Sequence, residues 1–184
     1  MQFFVVGIKK ICIFASLKLI ILMPREMFHT QEKRNSRLYQ PVLCTRKDAW
    51  LGHGYYFWDD ISDADGWGSS SKNRTGRYEV YVGLIDSENI LDTVFSEHDY
   101  QFFLTAIKKV IDDCKSKSGR NPSIVDVCSY IMYVAKWNTV MDGVLFSDSP
   151  NTEITRFNYR KRIQMVLYNL KCLVSFKFLK EEHC

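Results

Sequence analysis

Much that would assign a 184-residue chain at a glance is missing from this one. Its six cysteines (Cys12, Cys44, Cys114, Cys128, Cys172 and Cys184) form no Cys-x-x-Cys pair and no Cys/His cluster, which argues against a zinc site. An even count without a signal peptide is thin ground for disulfides, so they read as reduced thiols that mostly pack. Long apolar runs are also lacking. Residues 1–23 are apolar, but Lys9, Lys10 and Lys18 interrupt them, and nothing approaches the roughly 18–20 residues that cross a bilayer. A secretory leader puts charge first, then a clean apolar block, then a small-residue cleavage site; here the charges fall inside the block and Met-Pro-Arg-Glu follows it. There is no internal repeat and no linker composition. A large excess of one charge sign is lacking too: a net +4 permits nucleic-acid or acidic-protein partners without demanding them.

What is present suits a globular domain. The 46% hydrophobic content is ordinary, and the length buries a core without staples. Residues 1–22 stand apart as an apolar extension open to three readings: an extra element on the domain, a membrane-surface segment, or upstream DNA translated from too early a start. Residues 23–184 read as a single domain without a spanning segment, placed in the cytoplasm.

The pattern along that domain predicts α+β. Glu26–Thr30 reads as a short strand with His29 near its end, and residues 31–49 as loop with at most one helical turn. Gly66–Gly76 has the composition of a flexible surface loop. Tyr78–Ile85 alternates as a strand does, and Asp86–Asp92 reads as a turn. From Glu97 to Lys117, Phe102, Phe103, Ala106, Ile107, Val110 and Ile111 recur at helical spacing, with Gly119 to end the run. Pro122–Ala135 reads as a second helix. Met141–Phe146, Arg162–Asn169 and Cys172–Phe178 complete the strands. With no βαβ rhythm, a doubly wound parallel sheet is excluded.

The densest stretch is Leu51–Gly68. Gly52 and Gly54 bracket His53, and the aromatic block Tyr55, Tyr56, Phe57, Trp58 follows. An acidic turn able to cap a short helix comes next, with Ala64 inside it and Trp67 on its far side. Glycine serves where backbone turns sharply or a ligand comes closer than a Cβ allows, and aromatic rings offer flat apolar faces. On the residues alone this fits a glycine hairpin feeding a core strand, and it also fits a slot for a planar heterocycle.

Gly52-x-Gly54-x-Tyr56-Phe57, the acidic helix and the later Trp67 together resemble the nicotinamide-pocket motif of the ADP-ribosyltransferase fold. The likeness is closest to the diphtheria-toxin and poly(ADP-ribose) polymerase branch, known by a His–Tyr–Glu signature. It extends to His29–Thr30 as the first motif and to Gln164-Met-Val-Leu-Tyr168-Asn169 as the third, and so covers residues 26–178.

The resemblance implies split antiparallel β-sheets with two main helices, NAD as substrate, and no metal. It gives His29, Tyr56 and Gln164 catalytic places, and His29, Thr30, Gly54, Tyr56, Ala64 and Trp67 a part in holding NAD. Tyr56 and Trp67 would stack the nicotinamide ring, and Thr30 would anchor its carboxamide through backbone. Ala64 stands where many relatives carry a hydroxyl. Arg156, Tyr159 and Arg160, just ahead of the last motif, would touch a macromolecular acceptor, protein or nucleic acid. The implied activity is mono-ADP-ribosyl transfer, with a toxin or defence effector as one setting for a small domain that stands alone. The alternative is an inactive relative that keeps an NAD or ADP-ribose slot. Gln164 replaces the signature's Glu, which implies slow transfer of single units and no chain elongation.

Overall fold

A computed structural model describes residues 24–46, 49, 51–72, 74–148 and 161–184. Its framework is a seven-stranded mixed sheet in the order β4-β5-β6-β2-β1-β3-β7. The strands are β1 (Arg25–Glu32), β2 (Tyr55–Trp58), β3 (Arg77–Ile85), β4 (Ile90–Asp92), β5 (Gly143–Asp148), β6 (Arg162–Leu167) and β7 (Leu173–His183). The class is the expected α+β. The sheet is not antiparallel throughout, because β4 runs parallel to β5 with Ile90 opposite Gly143. Residues 90–92, read above as part of a turn, form that edge strand; three residues are too few to show an alternation.

The middle of the sheet is thin. β1 pairs with β3 along eight residues, from Arg25 opposite Ile85 to Glu32 opposite Tyr78. On its other side it meets β2 at the single pair Phe28 and Trp58. One half of the sheet is therefore β4-β5-β6-β2, and the other is β1-β3-β7.

Alternation sorts the side chains of the first half. Phe57, Met165, Leu145 and Leu167 go to one face and join Met27 and Ile85 in a buried cluster. The opposite face carries Tyr56 and Trp58 on β2, which lie across from Val166 and Gln164 on β6, and Arg162, which lies across from Asp148 on β5.

The helices cover this framework. α1 (Ile61–Ser71) starts at Asp60, whose carboxylate accepts from the Ser62 backbone N–H at 2.7 Å. It runs through Gly66, Trp67 and Gly68 to Ser71, so the first part of the loop read over Gly66–Gly76 is helix. Two glycines weaken a helix by about 1 kcal/mol each, but a Cβ on Gly68 would strike the Tyr78 ring. Glycine is what lets this helix lie on β3.

α2 (Glu97–Ser118) matches its periodicity: Ser96 caps its start and Gly119, at φ 69°, ends it. The helix read over 122–135 divides into α3 (Ile124–Ser129), started by a Ser123/Asp126 capping box, and a π turn over Tyr130–Val134 in which Ala135 N–H reaches Tyr130 O at 2.9 Å. A short α4 (Trp137–Val140) follows. Periodicity cannot register the one-residue slip of a π turn. No described helix is long and apolar enough to cross a membrane. The extension at residues 1–22 lies outside the described residues.

Candidate functional site

Where the two half-sheets meet, a cavity of about 700 Å³ opens, well within the range of small-molecule sites, about 300–1,000 Å³. His29, Thr30 and Gln31 of β1 line it, as do Tyr56 and Trp58 of β2, Trp67 and Lys72 at α1, Asp148 of β5, and Arg162 and Gln164 of β6. The β1–β2 connection adds Val42, Leu43, Cys44, Thr45, Arg46 and Ala49. Five of the residues singled out in the sequence thus share one cavity: His29, Thr30, Tyr56, Trp67 and Gln164.

Gly54 and Ala64, also expected in the ligand site, are not among the residues that line it. Gly54 bridges Cys44 and presses on β6, where a Cβ would meet the Val166 side chain and, at 2.8 Å, the Leu167 carbonyl. Ala64 is fully buried with Trp58, Tyr78 and Val80, and its carbonyl accepts the Thr30 hydroxyl at 2.9 Å. Arg156, Tyr159 and Arg160 lie outside the described residues.

His29 is buried and neutral. Its Nδ1–H donates to the Tyr56 carbonyl at 2.9 Å, and its Nε2 accepts from the Val42 N–H at 3.2 Å. Desolvation holds its pKa down to about 4. The two backbone partners define the tautomer, since a carbonyl can only accept and an amide N–H can only donate. The imidazole therefore joins the half-sheets where the backbone ladder is reduced to one pair.

Tyr56 stands edge-on to Phe146 at 6.5 Å, and its hydroxyl donates to the Gly52 carbonyl at 2.7 Å. Burial pushes its phenol well above the ordinary value, so it acts as a neutral ring and donor. Trp67 packs tilted against Trp58 at 6.0 Å, and the Arg46 guanidinium lies 5.7 Å from the Trp67 ring centre.

The charged lining is uneven: Arg46, Lys72 and Arg162 against Asp148. Burial, then the positive field of Arg46, lowers the Lys72 pKa. Cations that crowd one another beside a cavity favour an anionic occupant. Asp148 binds Arg162 Nη2 at 2.6 Å and accepts from Gln164 Nε2 at 3.3 Å. Among the described residues no group of His, Cys, Asp and Glu is placed to hold a metal ion.

Sequence reasoning missed Arg46, Lys72 and Asp148. Asp148 sits in Phe-Ser-Asp-Ser-Pro, a string without a motif, and only the β5–β6 pairing brings it beside Gln164. Arg46 and Lys72 belong to segments that read as polar loop. Comparisons of the chain with protein-family models, with curated proteins and with solved structures find no match in any of the three.

Proposed function

We propose that this cavity binds NAD and that the protein is a mono-ADP-ribosyltransferase of the type its motifs resemble. The observation that carries the reading is the convergence of Tyr56, Trp67 and Gln164 on one cavity that also holds a cationic wall. Two aromatic side chains suit a nicotinamide ring. Arg46 and Lys72 suit a diphosphate, through charge-assisted hydrogen bonds.

In the reaction the bond between ribose C1′ and the nicotinamide nitrogen breaks. Its electron pair leaves with neutral nicotinamide, and an oxocarbenium-like ribose is captured by the acceptor's lone pair while the acceptor's proton passes to solvent. The protein's part is to hold the ring, orient the ribose and stabilise the cation. Gln164 is neutral, so it serves as a hydrogen-bond partner for a ribose hydroxyl and not as a proton carrier. Water in place of the acceptor gives NAD hydrolysis. The acceptor contact expected at Arg156, Tyr159 and Arg160 belongs to the same proposal.

A second reading, an NAD or ADP-ribose binder without turnover, is favoured by one specific observation. Both nitrogens of His29 are already satisfied by backbone, so for Nε2 to meet a ribose hydroxyl the Val42 N–H must give way. Incubation with NAD and detection of free nicotinamide separates the two. Release with label retained on an acceptor supports transfer, release without label supports hydrolysis, and tight binding without release supports the binder. Absence of NAD binding overturns both readings.

A further inference from the structure

We propose that Asp148 is the site's carboxylate and works through Gln164, making Asp148 and Gln164 together the counterpart of a single glutamate. The proposal rests on the transferase reading. Three observations lead to it.

The first is placement. Asp148 ends β5 directly across from Arg162, and both lie on the cavity face of the sheet with Gln164. Asp148 keeps only 14% of its side-chain surface exposed, so its charge acts through a medium that screens it less than water does.

The second is direction. A carboxylate only accepts, so the Gln164 atom 3.3 Å from Asp148 is the amide nitrogen. Holding Nε2 in this way leaves Oε1 as the end of the amide available to a ligand. The side chain that would otherwise offer a donor or an acceptor at random is fixed as an acceptor, able to take the O–H of a ribose hydroxyl.

The third is charge. Arg162 lines the same cavity and would oppose a cation forming there. Its Nη2 lies 2.6 Å from Asp148, so the carboxylate offsets that repulsion as well as setting the amide. Asp148 is accordingly a positioning residue, and Gln164 is the group that meets the substrate.

The test is a two-residue cycle read by nicotinamide release, NAD affinity and thermal melting on four proteins: wild type, Asp148→Asn, Gln164→Glu, and the double variant. Asp148→Asn should lower kcat by roughly tenfold or more, the effect of losing a charge near a forming cation at an effective dielectric of about 20, while KM changes little. Gln164→Glu alone should bring no gain, because it sets two carboxylates side by side. Its release should instead depend on a group titrating well above the ordinary carboxylate range. The double variant exchanges the two roles and should exceed both singles, a rescue that a purely structural Asp148 could not give.

Unchanged kcat in Asp148→Asn, or a gain from Gln164→Glu of equal size in both backgrounds, overturns the proposal and leaves the transferase reading intact. No nicotinamide release from wild type overturns both. Should Asp148→Asn melt early because Arg162 is left without its carboxylate, Gln164→Glu alone decides. It keeps the Asp148–Arg162 pair, and faster release from it refutes the proposal, whereas no gain with the displaced titration supports it.

Discussion

The ring of His29 is hydrogen-bonded to the backbone of Tyr56, Nδ1–H to carbonyl oxygen at 2.9 Å, so the first and second sequence motifs are physically one unit. The other ring nitrogen, Nε2, accepts from the Val42 N–H, and that acceptance requires a neutral imidazole. Folding lowers the pKa from 6.5 to about 4. Between those values the unfolded chain binds the proton and the folded one does not, so stability rises with pH across that window. The contribution is complete above pH 6.5 and is lost as pH falls to about 4, by about 3 kcal/mol. Urea melts from pH 7 to 4 should show this slope, and His29→Asn should flatten it whatever its own stability.

Tyr56 offers a second check. Tyr56→Ala should weaken NAD binding by roughly 1–3 kcal/mol, the scale of base stacking on aromatic side chains, with the fold retained. Tyr56→Phe keeps the ring and loses the hydroxyl bond to Gly52, so affinity should hold while stability falls by about 0.5–1.5 kcal/mol. Titration calorimetry and melting on both variants separate a slot tyrosine from a core one. If Tyr56→Ala simply unfolds the protein, the ring is core.

Lys72 tests the cationic wall. Lys72→Met should cost about 1.5–3 kcal/mol of NAD affinity if the ammonium meets a phosphate, and the loss should shrink as salt is raised. Nicotinamide riboside, which has no phosphate, should bind wild type and variant equally. Equal loss for both ligands would place Lys72 elsewhere in the site.

Gly68 sets two effects of opposite sign against each other. Alanine there should favour α1 by about 1 kcal/mol through propensity. Its Cβ, however, lands within 2.5 Å of Tyr78 Cε2, and overpacking of this kind costs about 1–3 kcal/mol. Gly68→Ala should therefore lower Tm, whereas Gly66→Ala, where nothing lies within 4 Å, should raise it.

The class of fold and the gathering of motif residues at one cavity were legible in the sequence because their signals are local. Alternation in Tyr78–Ile85, the periodic apolar positions of α2 with Gly119 behind them, and the Gly52–Phe57 motif each declare themselves within a few residues. The missed parts were decided at a distance. α1 carries a glycine at position 68 because Tyr78 needs the room, and β4 exists because β5 lies beside it. Gly54 resembles a ligand-facing glycine, yet Val166 and Leu167 are what require it. Asp148 has no neighbour in sequence that marks it. Its meaning comes from Arg162 and Gln164, which reach it only once β5 and β6 have paired.

The lone pairing of Phe28 with Trp58 gives the site a mechanical side. His29 and Thr30 belong to one half-sheet, and Tyr56, Asp148 and Gln164 to the other, so an occupant of the cavity touches both. Such a ligand acts as a rivet: it closes a joint that the backbone leaves almost open. Binding then resists the separation of the halves as well as global unfolding, and exchange of the Tyr55–Trp58 amides should slow more on ligand addition than exchange within the broad β3–β7 ladder.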